Sequence, residues 1–97
     1  MNVRIQAIHF EIADRLNDFV EKKAGRLNRR FPDITDINVN LTLVKPETQQ
    51  NKEAVVRVTM PGQPEMVATK VADTFEEATD LAIEAIEHQL EKTKGKK

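Results

Sequence analysis

The chain has no cysteine, serine, tryptophan or tyrosine, and it has only four phenylalanines and three glycines. Without cysteine it forms neither a disulfide framework nor a thiolate metal site. Without serine it cannot build a Ser-His-Asp triad, and it has no glycine-rich phosphate-binding loop. Its two histidines, His9 and His88, lie in different predicted elements and indicate no metal or catalytic site. The sequence therefore predicts a protein that is not an enzyme and that needs no metal or cofactor.

Long apolar runs are also absent, since no stretch approaches the roughly 20 residues that cross a bilayer. The N-terminus lacks the apolar core and the cleavage site of a signal peptide, so we expect a cytoplasmic protein with no membrane partner. With 97 residues, 39% hydrophobic and 32% charged, the chain is long enough for one domain. We expect that domain to span residues 1–93 and a flexible basic tail to span residues 94–97.

Hydrophobic periodicity predicts the order β-α-β-β-β-α. Alternating or β-branched runs predict strands at residues 3–8, 37–43, 54–60 and 65–71, and apolar spacings of three and four predict helices at 13–30 and from 75 onward. Pro32 ends the first helix, Asp73 or Thr74 caps the second, and Pro61-Gly62 favours a type II turn. The predicted fold class is α+β, with two layers: a four-stranded sheet and both helices on one face of it.

The opposite sheet face should be open and polar. Its predicted residues are Arg4, Gln6, Asn38, Asn40, Thr42 and Arg57. Phe19, Phe31 and Phe75 fall on apolar helix faces, so contact with a nucleic acid would depend on phosphates and shape rather than on base stacking.

The charge of the chain is strongly segregated, although its formal net charge is only -1. Residues 22–30 contain five positive charges and no acid, whereas residues 73–91 contain seven acids and no lysine or arginine. On the first helix, Lys22, Arg26 and Arg29 share a narrow sector opposite the apolar stripe, and Lys23 and Arg30 lie at its flank. Such a cluster is typical of phosphate binding, but basic residues also favour helix C-termini through the helix dipole. The pattern alone leaves both explanations open.

Two runs of the sequence resemble the helices of the ribosome hibernation promoting factor family, also described as ribosome-associated translation inhibitors. They are HFEIADRLNDFVEKKAGRLNRRF near the start and DTFEEATDLAIEAIEHQLEKTK near the end. The matching residues are Lys23, Arg26 and Leu27 in the first, and Phe75, Ala78, Asp80, Gln89, Leu90, Lys92 and Lys94 in the second. The resemblance covers essentially the whole chain.

This resemblance implies a double-stranded-RNA-binding-like fold and binding to ribosomal RNA of the small ribosomal subunit. The protein would occupy the mRNA and tRNA channel and inhibit translation during hibernation or stress, as a short family member that is monomeric off the ribosome and has no small-molecule substrate. Many relatives carry basic residues just before the Gln-Leu pair, where this chain has Ala85 and His88. We therefore assign rRNA binding to the first helix and the C-terminal end, at Lys22, Lys23, Arg26, Arg29, Arg30, Lys92 and Lys94.

A different class of function stays open. The acidic second helix is compatible with a protein-interaction module that binds a basic soluble partner, although charge runs on amphipathic helices are ordinarily solvated faces. A small α/β enzyme on a similar two-layer fold is disfavoured by the lack of serine and cysteine.

Overall fold

The sheet and helices follow the predicted order in the computed structural model, which describes residues 2–8, 10–44 and 51–95. The elements are β1 (Asn2–Ile8), α1 (Asp14–Arg30), β2 (Asp36–Leu43), β3 (Lys52–Thr59), β4 (Met66–Ala72) and α2 (Phe75–Gly95). The predicted fold class and element order are confirmed, with strand bounds that shift by one or two residues.

The four strands lie in the sheet in sequence order, β1-β2-β3-β4. β1 and β2 are parallel because the chain crosses between them through α1, whereas β2, β3 and β4 are antiparallel neighbours. Ile37 lies opposite both Val3 and Val58, and the same alternation along the strands places one apolar row after another on the inner face. The sheet thereby supplies half of a single hydrophobic core.

Helix α1 is fixed on that core by the apolar stripe that its sequence predicts. Leu16, Val20, Ala24 and Leu27 are all buried. The helix ends where the Phe31 N–H donates to the Leu27 carbonyl, immediately before Pro32. The stripe fixes the rotation of α1 about its axis and therefore fixes which of its cations lie outside.

Helix α2 begins at a side-chain cap that Thr74 provides, one of the two residues predicted for it. The Thr74 Oγ1 accepts a hydrogen bond of 3.1 Å from the Glu77 N–H. The helix packs over β3 and β4, and the Gln89 side-chain amide donates to the Val67 carbonyl at 3.3 Å. The helix therefore covers part of the exposed backbone edge of β4.

The phenylalanine rings all lie against the core, as predicted for Phe19, Phe31 and Phe75. Phe75 stacks on Phe10, with ring centroids 4.5 Å apart, and so joins the start of α2 to the segment before α1. No prediction from the sequence concerned Phe10.

The predicted turn and the predicted open face are both present. Gly62 has a φ of 73°, and the Gln63 N–H donates to the Met60 carbonyl at 3.3 Å, as a type II turn requires. The six polar residues predicted for the outer sheet face lie on it, in register across β1, β2 and β3. The same face also carries valines that we did not expect there: Val55, Val67 and Val71.

The C-terminal helix is longer than predicted, because α2 continues through Gly95 and includes Lys94. Residues 96 and 97, which complete the predicted tail, lie outside the described residues, so its flexibility stays a prediction. His9 also lies outside them, and His88 is exposed on α2. Neither helix, over its described length, is long and apolar enough to span a membrane.

Candidate nucleic-acid interface

The five cations in the C-terminal half of α1 form two groups, which differ in whether they pair with acids of α2. Lys22, Arg26 and Arg29 are exposed, and none of the described residues forms an ion pair with them. Lys23 and Arg30, which the sequence placed at the flank of the sector, turn toward α2 and form ion pairs with it. We call the first group the free cations and the second the paired cations.

Lys23 is held between a ring and a carboxylate. Its Nζ lies 2.9 Å from the Asp80 Oδ1 and 5.4 Å from the centroid of the Phe19 ring. The Lys23 side chain is only 28% exposed. Because the ring lies on one side and the carboxylate on another, the ammonium group has a defined position instead of sampling solvent freely.

Arg30, seven residues further along α1, also lies between an aromatic ring and carboxylates. Its Nη1 donates to Glu87 Oε2 at 3.0 Å, its Nη2 donates to Glu91 Oε2 at 2.8 Å, and its guanidinium lies 5.3 Å from the Phe31 ring centroid. The hydrogen bonds to Glu91 and then Glu87 raise the pKa of Arg30 above its ordinary value. Arg30 is therefore a permanent cation that has two carboxylate partners.

The ion pairs cross a groove between the two helices that has a volume of about 660 Å³. The residues that line this interhelical groove are Lys23, Arg26, Leu27, Arg29 and Arg30 from α1, and Asp80, Ile83, Glu84 and Glu87 from α2. Its apolar floor is Leu27 and Ile83, which are 1% and 7% exposed. The groove has cations along one wall and carboxylates along the other, so it is electrostatically mixed rather than purely basic.

The pairing of the two helices was not predicted, although the sequence contains a signal for it. Lys23 and Arg30 are seven residues apart, and so are their partners Asp80 and Glu87. Seven residues are close to two helical turns, so opposite charges at equal spacing meet when two helices pack side by side in the same direction. Charge complementarity between the predicted helices would have suggested this contact.

The C-terminal lysines of the predicted site lie near the same end of the molecule. Lys92 is exposed on α2 and directly follows Glu91, the partner of Arg30. Lys94 lies in the last turn of the same helix. No described contact bears on RNA binding by either lysine, so their assignment to RNA binding stays a prediction.

The chain is similar to known proteins along nearly its whole length. The sequence profile of the family described as "Sigma 54 modulation protein / S30EA ribosomal protein" matches residues 3–97. The chain belongs to this family. The resemblance inferred from the two helices is confirmed, because relatives that match the chain over almost all of its length are named ribosome hibernation promoting or promotion factors.

Three such relatives differ in how much of their own length this S30EA family member covers. A ribosome hibernation promotion factor of Bacillus subtilis is 34% identical over 97 residues, which are 99% of this chain and 50% of the relative. The ribosome hibernation promoting factor of Azotobacter vinelandii is 34% identical over 96 residues, with 99% of this chain and 85% of the relative covered. That of Pseudomonas putida is 32% identical, again over 99% of this chain and with 89% of the relative covered. The chain thus spans half the length of the Bacillus relative.

Two solved structures have the same fold, which confirms the predicted fold class. A ribosomal subunit interface protein from Coxiella burnetii superposes with a TM-score of 0.86 at 25% identity, covering 99% of this chain and 100% of that one. The N-terminal domain of Protein Y from Thermus thermophilus superposes with a TM-score of 0.80 at 26% identity, covering 96% and 99%. The S30EA fold of this chain is therefore shared along nearly its entire length.

Proposed function

We propose that this S30EA family member binds the small ribosomal subunit through phosphates of ribosomal RNA and that α1 provides the docking surface. Bound there, it would occlude the mRNA and tRNA channel and keep the ribosome inactive during hibernation or stress. The names of its relatives support ribosome hibernation and a position at the subunit interface. The phosphate contacts and the occlusion are our inference from the charges of this chain.

The observation that carries this proposal is the cluster of free cations. Lys22, Arg26 and Arg29 project from one sector of a helix whose rotation is fixed by the core, and no described acid neutralises them. Helix-dipole complementarity explains why cations lie in the last turn, but it does not require three of them in one exposed sector. A row of unneutralised cations on a rigid element is a suitable surface for a phosphate backbone.

The proposed mechanism needs no catalysis. Each lysine or arginine that contacts a phosphate releases condensed counterions, and this release supplies most of the affinity. The folded domain then inhibits translation by steric occlusion, since a channel that holds a folded protein cannot hold mRNA and tRNA. We therefore assign this chain a steric role and no reaction.

The rival function, binding of a basic soluble partner through α2, has less support. Asp80, Glu87 and Glu91 are the partners of Lys23 and Arg30, so much of the acidic face of α2 is neutralised within the molecule. Glu77 and Glu84 are exposed but isolated acids of the kind found on ordinary solvated helices.

The charge-reversal variant Arg26→Glu with Arg29→Glu tests the proposed docking surface. Both side chains are exposed and carry no described ion pair, so the fold should be retained, as circular dichroism would show. Reversal removes two phosphate contacts and adds two repulsive charges, and we expect affinity for isolated small subunits to fall at least about tenfold. Lys23→Glu would be a poorer choice, because Lys23 also holds Asp80.

A matched control reverses two exposed cations elsewhere, Arg4 on the outer sheet face and Arg15 at the start of α1. Arg4→Glu with Arg15→Glu changes the net charge by the same amount and should retain most of the binding. Co-sedimentation of both variants with small subunits gives the comparison. Equal losses in the two variants would mean that net charge, rather than the α1 surface, determines binding.

A further inference from the structure

The paired cations already have carboxylate partners in the free protein. Lys23 is occupied by Asp80, and Arg30 donates both of its Nη groups to Glu87 and Glu91. All of these contacts lie between 2.8 and 3.0 Å, the range of charge-assisted hydrogen bonds. Two of the five cations of residues 22–30 therefore already have anionic partners.

A carboxylate and a phosphate compete for the same donors. Both are oxygen anions that accept hydrogen bonds from ammonium and guanidinium groups in similar geometry. The carboxylates of α2 have the advantage of proximity, since they are held beside α1 by the packing of Ile83 and Leu27 under the groove. An RNA phosphate must displace them or leave the paired cations unused.

We propose that Asp80, Glu87 and Glu91 are intramolecular competitors that restrain RNA binding by α1. The inference rests on the function proposed above and concerns the regulation of the same surface. The free cations make the first contacts with RNA, and Lys23 and Arg30 then exchange carboxylate for phosphate when a second phosphate reaches the groove. RNA that presents only one short row of phosphates to Lys22, Arg26 and Arg29 does not drive this exchange and is bound weakly.

The aromatic rings beside the paired cations allow this exchange without a large movement of Lys23 or Arg30. The rings of Phe19 and Phe31 lie beside Lys23 and Arg30, independently of the acids of α2. Both rings are packed against the core, so they stay in place when a carboxylate leaves. Both cations are also partly exposed toward the groove, at 28% and 53%, which leaves a route for an incoming phosphate.

The first ion pair, between Lys23 and Asp80, is tested by the variant Asp80→Asn, and Glu84→Gln is its matched control. Both acids line the same groove one helical turn apart, and both substitutions remove one negative charge, but only Asp80 has a described ion pair. We expect Asp80→Asn to bind small subunits about two- to fivefold more tightly than Glu84→Gln, the range expected for one exposed ion pair. The affinity of Asp80→Asn should also fall more steeply with salt than that of Glu84→Gln. The slope of log affinity against log salt should be more negative by about 0.7 to 0.9, because Lys23 now releases counterions on binding.

The second ion pair is tested by Glu87→Gln with Glu91→Gln, made in the wild-type chain and in an Arg30→Ala background. If the acids act through Arg30, the gain in affinity should be about two- to fivefold larger in the wild-type background. Equal gains in the two backgrounds would show general charge repulsion and would overturn the exchange at Arg30.

The outcomes separate this inference from the proposed function. A wild-type chain that does not bind small subunits at all overturns both. A wild-type chain that binds, together with equal affinities and equal salt slopes for Asp80→Asn and Glu84→Gln, overturns the competition and leaves the docking surface in place.

Discussion

Neighbouring residues of α1 have different roles because each residue turns the helix by about 100°. Lys22 is exposed and free, whereas Lys23 is paired with Asp80; Arg29 is free, whereas Arg30 is paired with Glu87 and Glu91. The helical periodicity of the sequence predicted this division into a sector and its flank. Periodicity alone does not identify the partners, which lie more than fifty residues away in the chain. The signal for them is the equal seven-residue spacing of the two cations and of Asp80 and Glu87.

Thr79 carries a buried hydroxyl group that we expect to lower the stability of the fold. Its side chain is fully buried in α2, and its hydroxyl has no hydrogen-bond partner among the described residues. Thr79→Val keeps the shape and removes the unsatisfied hydroxyl, so we expect the free energy of unfolding to rise by about 1 kcal/mol. Urea denaturation measures this.

Thr79→Ser is the informative control, because it keeps the hydroxyl and removes the methyl group that fills the core. That variant should be less stable than the wild type. A loss of stability in Thr79→Val would indicate that the hydroxyl has a favourable interaction in solution.

At the scale of elements, the sequence predicted the number and order of strands and helices and the inner and outer faces of the sheet. The two-residue alternation of Ile37, Val39 and Leu41 suffices for the face of β2. Neither the parallel pairing of β1 with β2 nor the contact between α1 and α2 was predicted, because periodicity identifies a buried face without naming what covers it. The valines on the outer face were also missed, because we assigned only polar residues to that face. The same two-residue alternation that places Arg57 outside also places Val55 outside.

The start of α2 depends on one side chain. Thr74→Ala removes the acceptor of the Glu77 N–H, so an orphaned helical donor is left to solvent, and the free energy of unfolding should fall by about 1 kcal/mol. Thr74→Asp, which preserves a capping oxygen and adds a favourable charge at the helix N-terminus, should retain wild-type stability. If Thr74→Ala were as stable as Thr74→Asp in thermal unfolding, the cap would have no energetic role.

At the scale of the whole molecule, the net charge of -1 conceals the separation of basic residues on α1 from acidic residues on α2. The acids of α2 neutralise part of the basic cluster and leave Lys22, Arg26 and Arg29 as its available portion. The segregation seen in the sequence therefore has two consequences in the fold. The two helices are joined by ion pairs, and only three of the five cations of residues 22–30 form no ion pair with a described residue. Family membership connects the protein with the ribosome, and we propose ribosomal RNA as the target of that surface.

The most direct test of the account is the affinity of the wild-type chain for isolated small ribosomal subunits over a several-fold range of salt concentration. For roughly three to five phosphate contacts, the slope of log affinity against log salt should lie between about -2 and -4. The same series with Arg26→Glu and Arg29→Glu should give a much shallower slope. Strong binding that stays constant as salt rises would contradict docking through RNA phosphates.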